Sequence, residues 1–325
     1  MLSSLQLATL AGVSQGTVDR ALHGRPGIRP ATRDRIRALA EQHGYRPHPG
    51  AQELLHGRRR TIGALAPAVN LIFFMDLLAE LKTALAEQEC RLSLTPYDGA
   101  EEFRDALAEF AARRVRGVFA IPPSDRFPLP DHLTADMPLA CVLNRCAGRN
   151  SLFLAPDERR AGRDAVAVLA GRGHRRILHV TSRRDAFGIR ERARGYTAEM
   201  KARGLPPRIL KPADDGALTA ALATTDATAL FCMNDEIALR CLRTLARAGR
   251  RVPEAVSVLG VDNSPTFIRL CPDLTTLAWP MRDLTRQAAA WLTAGTVPAS
   301  PPPPLTLVER GTVGGNPNPF CEGHR

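Results

Sequence analysis

The stretch that most constrains this chain is residues 5–60, LQLATLAGVSQGTVDRALHGRPGIRPATRDRIRALAEQHGYRPHPGAQELLHGRRR. It holds three short apolar periodicities of helical spacing, punctuated by glycine and proline. Ser3 and Gln6 form a capping box ahead of the first, in which Leu7, Ala8 and Ala11 share one face. Gly12 breaks that helix. Ser14 caps a second over residues 15–22, with Val18, Ala21 and Leu22 inward. Gly24, Pro26 and Pro30 enforce a loop. Thr32 reads as the cap of a third helix, with Ile36, Leu39 and Ala40 inward and Gly44 as its stop. A helix, a three-residue turn containing glycine and a second helix make a helix-turn-helix.

The outward face of the second helix gives this unit a direction. Gln15, Gly16, Thr17, Asp19 and Arg20 lie towards its N-terminal end, the end that enters a major groove. Glutamine pairs adenine and arginine pairs guanine in bidentate fashion, and Gly16 allows close backbone approach. Asp19 has two readings: an acceptor for a cytosine amino group, or an i,i+4 partner of His23. Charge agrees with a polyanionic partner. Residues 1–60 contain ten arginines against four acidic residues, a net of +6, and the other 265 residues share the remaining +5 of the total +11. After Pro47 and Pro49, residues 50–55 offer only about a turn and a half of helix. Leu54 and Leu55 have no local core to join, and Arg58, Arg59 and Arg60 follow.

From residue 61 the pattern changes to alternation. Strand-like runs fall at 62–66, 91–95, 117–121, 139–143, 177–181, 229–232, 256–261 and 274–278, with helical patterns at 74–89, 101–113, 158–171, 190–203, 236–248 and 281–294. This predicts an α/β body with parallel sheets, and the number of strands favours two lobes. Residues 298–304, PASPPPP, read as a stiff extended connector. The Gly/Pro/Asn-rich end, 311–325, reads as frayed, with a disordered tail from 314.

Several words in register identify a resemblance. LAGVS, TV-x-R, GRPGI, TR-x-R, GYRP and GR-x-R-T-I-G in the first 63 residues resemble the headpiece and hinge of the LacI/GalR family of bacterial transcriptional regulators. In the body, DERRAGR at 157–163, GHRRI at 173–177, R-x-RGY at 192–196, ND at 234–235, VP at 252–253, GVDN at 260–263 and P-x-LTT at 272–276 resemble the same family's effector domain, which is similar to periplasmic sugar-binding proteins. The resemblance implies a small all-α headpiece at 1–46, a hinge at 47–60, and a two-lobed type I periplasmic-binding-protein-like α/β domain at 61–313. Lobe one would hold about 61–155 and 280–306, and lobe two about 156–278 and 307–313. It further implies DNA contacts from Ser14, Gln15, Gly16, Thr17, Arg20, Tyr45, Ala51 and Leu54, with Leu54 as the minor-groove wedge. Effector contacts would come from Phe73, Phe74, Arg192, Asn234 and Asp262. Each has an alternative reading: core packing for one phenylalanine, a helix cap for Asn234, and a surface pair with Glu191 or Glu199 for Arg192.

The chain also departs from the family. Gly50, Gln52 and Glu53 stand where the family has other residues: Gly50 weakens a short hinge helix and Glu53 is unfavourable near phosphates, so weaker hinge folding or a different central operator step is expected. Ala68, Val69, Asn70, Leu71 and Ile72 replace the usual polar residues ahead of the aromatic pair. Trp279 stands where a polar cleft residue is common, so a more aromatic pocket wall is expected.

The sequence lacks a Walker loop, G-x-S-x-G, any C-x-x-C pair and any clustered metal ligands. His174, in GRGHRR, reads as a helix-end residue. No cofactor and no catalytic activity are expected. Seven cysteines suggest free thiols in a reducing cytoplasm, and neither a secretory leader nor a membrane span is read. The expectation is therefore a cytoplasmic, sequence-specific regulator, more specifically a repressor. It would bind pseudo-palindromic operator DNA as a homodimer, and a sugar or sugar-like effector would control it. Two other readings are weighed: a sugar-binding protein with a vestigial headpiece, and a helix-turn-helix fused to a sugar-phosphate enzyme. The first conflicts with the absent leader, and the second with the absence of a catalytic Glu/His pair.

Overall fold

The computed structural model describes residues 2–45, 60–69, 71–298 and 302–316. The chain separates into two units, Met1–Arg59 and Arg60–Arg325. The first unit is the three-helix headpiece: α1 (Ser4–Ala11), α2 (Gln15–Leu22) and α3 (Pro30–Gln42). Ser3 accepts from the Gln6 amide at 3.2 Å while the Gln6 side chain accepts from the Ser3 amide at 2.8 Å, so the capping box closes at both ends. Gly12 ends α1 in the left-handed region, at φ 60°. Leu7, Ala8, Ala11, Val18, Ala21, Ile36 and Ala40 form the buried core, and Leu22, Leu39 and Tyr45 pack on its edge. The third helix begins earlier than expected. Pro30 occupies its first turn and Thr32 lies inside it, because proline's missing N–H and fixed φ suit that position without a side-chain cap.

Three headpiece arginines serve the fold. Arg35 donates to the Ala11 carbonyl at 2.7 Å, closing the C-terminal end of α1, and Arg33 donates to the Arg25 carbonyl at 2.9 Å. Arg25 itself pairs with Asp19.

The second unit has two α/β lobes. The first lobe's sheet has the order β2-β1-β3-β5-β7, all parallel, where β1 is Thr61–Pro67, β2 Arg91–Tyr97, β3 Gly117–Ala120, β5 Leu139–Val142 and β7 Ser151–Leu154; β4 (Phe127–Pro128) and β6 (Cys146–Ala147) pair in a separate two-stranded sheet. The second has the order β13-β12-β11-β10-β8-β9, where β8 is Ile177–Val180, β9 Arg208–Leu210, β10 Ala229–Cys232, β11 Ser257–Asp262, β12 Thr275–Ala278 and β13 Thr306–Val308. Only β13 runs antiparallel to its neighbour. The runs VFA, LACV, ILHV and ALFC are buried at every position because they are central strands covered by helices on both faces. The edge strands β2, β9 and β13 are partly exposed.

The chain crosses between lobes three times. It passes over after β7, returns after β12 so that helix Met281–Ala294 packs beside helix Leu71–Ala86, and crosses once more to supply β13. Trp291 fastens the returning helix to the first lobe, its indole N–H donating to the Leu139 carbonyl at 2.9 Å.

Several elements differ from the sequence reading. Helices expected from 74 and 190 start at Leu71 and Phe187. Strands β7 and β9 and helices Asp215–Thr224 and Pro265–Leu270 were not anticipated, since short runs carry too little periodicity. The end expected to fray from Gly311 is instead docked as far as Asn316. Thr312 and Val313 are buried, and Asn316 donates to the Arg172 and Gly173 carbonyls at 2.9 and 3.0 Å. His174 holds this segment: it is fully buried between Thr228 Oγ1 at 3.0 Å and the Gly314 carbonyl at 3.1 Å, a staple where a simple helix-end residue was expected. Among the described residues no helix is long and apolar enough to cross a membrane.

Candidate functional site

In the headpiece, Ser14 caps α2, its hydroxyl accepting from the Thr17 amide at 3.2 Å and lying 2.9 Å from the Thr17 hydroxyl. This fixes the N-terminal turn. Ser14, Gln15, Gly16 and Arg20 are exposed on it and Thr17 is half-buried. The Gln15 side chain reaches across to α1 and donates to Ser4, while Arg20 lies along α2 and donates to the Gly16 carbonyl at 3.2 Å. Asp19 pairs with His23 and with Arg25, each at 3.2 Å, which favours its internal reading over a base contact. Tyr45 follows α3 and its amide donates to the Ala40 carbonyl at 2.7 Å. Ala51 and Leu54 lie outside the described residues, as does the rest of the expected hinge apart from Arg60.

In the body, Phe73, Phe74, Arg192, Asn234 and Asp262 all line one cavity of about 720 Å³. It lies between the lobes, at the C-terminal ends of their parallel strands, where such sheets leave a crevice. Phe73 and Phe74 meet edge-to-face with centroids 5.6 Å apart. Both belong to the core and both reach the cavity, so the choice between packing and ligand contact does not divide them. Asn234 likewise does both: its Oδ1 accepts from the Ile237 amide at 2.9 Å as an N-cap, while the residue lines the cavity.

Arg192 is held differently from either expectation. Its Nε and Nη2 donate to Glu158, the latter at 3.0 Å, and its Nη1 donates to the Met233 carbonyl. Glu191 and Glu199 pair with Arg194 and Arg203 instead. The reason is close helix packing. Helices Glu158–Gly171 and Phe187–Ala202 touch backbone to backbone at Gly162 and Gly195. A methyl at Gly162 would lie 2.1 Å from the Arg192 carbonyl oxygen, and one at Gly195 only 1.9 Å from that of Arg159. Only glycine allows this approach, and the approach brings Glu158 under Arg192.

Glu158 also accepts from the Trp279 indole N–H at 3.0 Å. Trp279 is therefore tied inward against Phe73, at 5.8 Å edge-to-face, and does not line the 720 Å³ cavity. The expected aromatic wall is real but is supplied by Phe73, Phe74, Tyr97 and Phe267, with Val69.

Asp262 ends β11 with φ 115°, a left-handed conformation rare for a non-glycine residue. It is buried, and no hydrogen bond to its carboxyl group occurs among the described residues. Burial pushes that carboxyl well above the usual range, with Arg192 opposing. Asp235 beside it is satisfied by Thr276 Oγ1 at 2.7 Å and the Ser264 amide at 3.1 Å, and burial raises it to about 6.

Two clasps bridge the cleft mouth. Asp76 of the first lobe accepts from the hydroxyls of Ser264 and Thr266. On the other side Asn144 accepts from the Phe187 amide at 3.0 Å, and Asp125 takes both Arg145 and Arg190. The Arg145 hydrogen bond leads in holding the Asp125 carboxyl far below its usual range. Glu158, Asp76, Asn144 and Asp125 were not singled out from sequence; no local pattern marks a polar side chain whose partner lies twenty or more residues away. Among the described residues no group of three or more His, Cys, Asp or Glu is placed to hold a metal.

Comparison with known proteins agrees with this geometry. Residues 6–48 match the family model described as bacterial regulatory proteins, lacI family, and residues 166–313 match that of a periplasmic binding protein-like domain. The HTH-type transcriptional regulator CelR of Thermobifida fusca is 28% identical over 304 residues, 88% of this chain and 89% of that protein. A solved lac repressor dimer bound to operator and the anti-inducer ONPF has the same fold, with a TM-score of 0.78 at 22% identity, over 96% of this chain and 98% of that one. A solved CelR–cellobiose complex gives a TM-score of 0.65 at 24% identity, over 96% and 100%.

Proposed function

The chain belongs to the LacI family of DNA-binding transcriptional regulators, and from that premise we propose that it is a cytoplasmic repressor whose hold on operator DNA is set by a small molecule in the cleft. The family consists of regulators, not enzymes. The observation that carries the reading is convergence: residues as far apart as Phe73 and Asp262, from both lobes, line one cavity. A site lined by two lobes changes when they open or close. A ligand there binds the two arrangements unequally, and linkage turns that difference into control of DNA affinity.

The chemistry of the walls favours a sugar or sugar-like effector. Aromatic faces suit the apolar face of a ring, while Asp262 and the Asn234 amide suit hydroxyls. The CelR–cellobiose complex supports the same class by analogy. In the headpiece, Ser14, Gln15, Gly16, Thr17, Arg20 and Tyr45 contact operator DNA, joined by Ala51 and Leu54 from the hinge. A homodimer presents two such helices to the halves of a pseudo-palindrome, one per half-site.

The test is selection of bound duplexes from a random pool by full-length protein, followed by gel-shift titration. The expected result is a pseudo-palindrome preferred at least about 10³-fold over random DNA, with affinity falling steeply as salt rises from about 50 to 200 mM. Equal binding to all sequences, or no salt dependence, overturns the proposal.

A further inference from the structure

The cleft is charged differently at its rim and at its floor. At the rim, Arg183, Arg184 and Arg240 stand with Asp98, Asp185 and Glu236, exposed or half-buried and equal in number. Water and salt screen these groups, so they give little selection by charge. At the floor the charged lining residues are Arg192 and Asp262, each 5% exposed. They look like a balanced pair, but their surroundings make them unequal.

Three of the five N–H donors of Arg192 go to Glu158, which is itself buried and neutralises its charge, and to the Met233 carbonyl. It cannot turn to a ligand carboxylate or phosphate without leaving Glu158 buried and uncompensated. Nor can Glu158 retreat. The Gly162 and Gly195 contacts lock its helix to that of Arg192, and the Trp279 N–H holds its Oε1. Asp262, by contrast, has no hydrogen bond to its carboxyl group among the described residues. The charged groups that act on it besides Arg192 are Asp235, Glu158 and Glu236, all negative. Asp235 is fully bonded within the protein and supplies nothing that would offset an incoming anion.

We infer that the cleft selects its effector by charge: the floor accepts an uncharged or amine-bearing polyol that brings hydroxyl or ammonium donors to Asp262, and rejects polyols that carry a carboxylate or phosphate there. This rests on the reading of the cavity as a sugar-class effector site, and narrows it. Donors complete the unmet acceptor at the floor. An anion instead adds negative charge beside Asp262, Asp235, Glu158 and Glu236, facing an arginine already neutralised by Glu158. Glu158 is the positioning residue behind the selection, because it removes Arg192 as an anion receptor.

The test uses full-length protein and matched ligand sets, in isothermal titration and thermal shift. Glucose, glucosamine, gluconate and glucose 6-phosphate form one set. Cellobiose, maltose and their amino and aldonate forms make others. The expected result is that, in any set with a binder, the neutral or amino form binds at least about tenfold more tightly than its anionic counterpart. An anionic form binding as well as its neutral counterpart overturns charge selection and leaves the effector cleft standing. No binding by any member overturns the sugar-class reading, and the inference falls with it. Asp262→Asn, nearly isosteric, is expected to shrink the amino-to-anion ratio by about tenfold. An unchanged ratio in a variant with native thermal unfolding overturns the role given to Asp262.

Discussion

The headpiece and the cleft do comparable work, recognising a partner, but they are built in opposite ways. The headpiece sets most of its proposed reading residues, Ser14 to Arg20, at the N-terminal end of one helix, and α2 itself sets their geometry. The cleft gathers Phe73, Arg192, Asn234 and Asp262 from helices, a helix cap and a strand end up to 189 positions apart, and buried surroundings set the state of each one. The first kind of site tolerates change in its supports. The second does not, because every support is also a buried charge or a backbone contact.

The largest test of that difference is Glu158→Gln. Removing one member of a buried ion pair strands Arg192 and loosens Trp279, so unfolding free energy should fall by about 3–5 kcal/mol in chemical denaturation. A loss no greater than that of an exposed pair, below about 1 kcal/mol, would show that the Glu158–Arg192 pair is not holding the floor.

Next come two glycine substitutions of the same chemical size. Gly195→Ala drives a methyl to 1.9 Å from the Arg159 carbonyl oxygen and should destabilise the body by about 3 kcal/mol or more. Gly16→Ala meets nothing closer than Ser14 Oγ at 4.0 Å. It should raise headpiece stability by up to about 1 kcal/mol, since alanine is the better helix former, while weakening operator binding. Thermal unfolding and gel shift read both; similar stability losses at the two sites would erase the contrast.

A titration comes third. His179 is fully buried, stacked on Phe231 at 4.5 Å, with Nδ1 2.9 Å from the Phe231 carbonyl. Burial lowers its pKa from 6.5 to about 4. The unfolded chain therefore takes up a proton that the fold refuses, and stability is lost as pH falls from about 6.5 to 4, by up to about 3 kcal/mol. His179→Gln should flatten that part of the stability-against-pH curve relative to the unsubstituted protein. An identical slope in both proteins would assign the acid sensitivity elsewhere.

The smallest effect returns to the headpiece. Ser14→Ala removes the cap of α2 and should cost about 1 kcal/mol, read as a lower melting temperature of the headpiece transition. The body should melt unchanged.

These contrasts also mark what was legible in the sequence. The capping box of Ser3 and Gln6, the inner faces of α1 and α2 and the alternation of strands and helices all rest on spacings of a few residues. They appear in the structure as read. The five cleft residues came from resemblance, and they converge on one cavity. The role of Trp279, the partner of Arg192 and the docking of the segment up to Asn316 on His174 were read differently or missed.

By itself, then, the sequence determined the helix-turn-helix, its outward reading face, its concentrated positive charge and a two-lobed α/β body, because local hydrogen bonding and short periodicities govern all of these. Tertiary structure alone decided which buried charges meet. Gly162 and Gly195 let two helices touch, that contact sets Glu158 beneath Arg192, and Asp262 is left as the acceptor at the floor of the cleft. Burial makes such pairings strong, and packing between distant segments determines which groups are buried together.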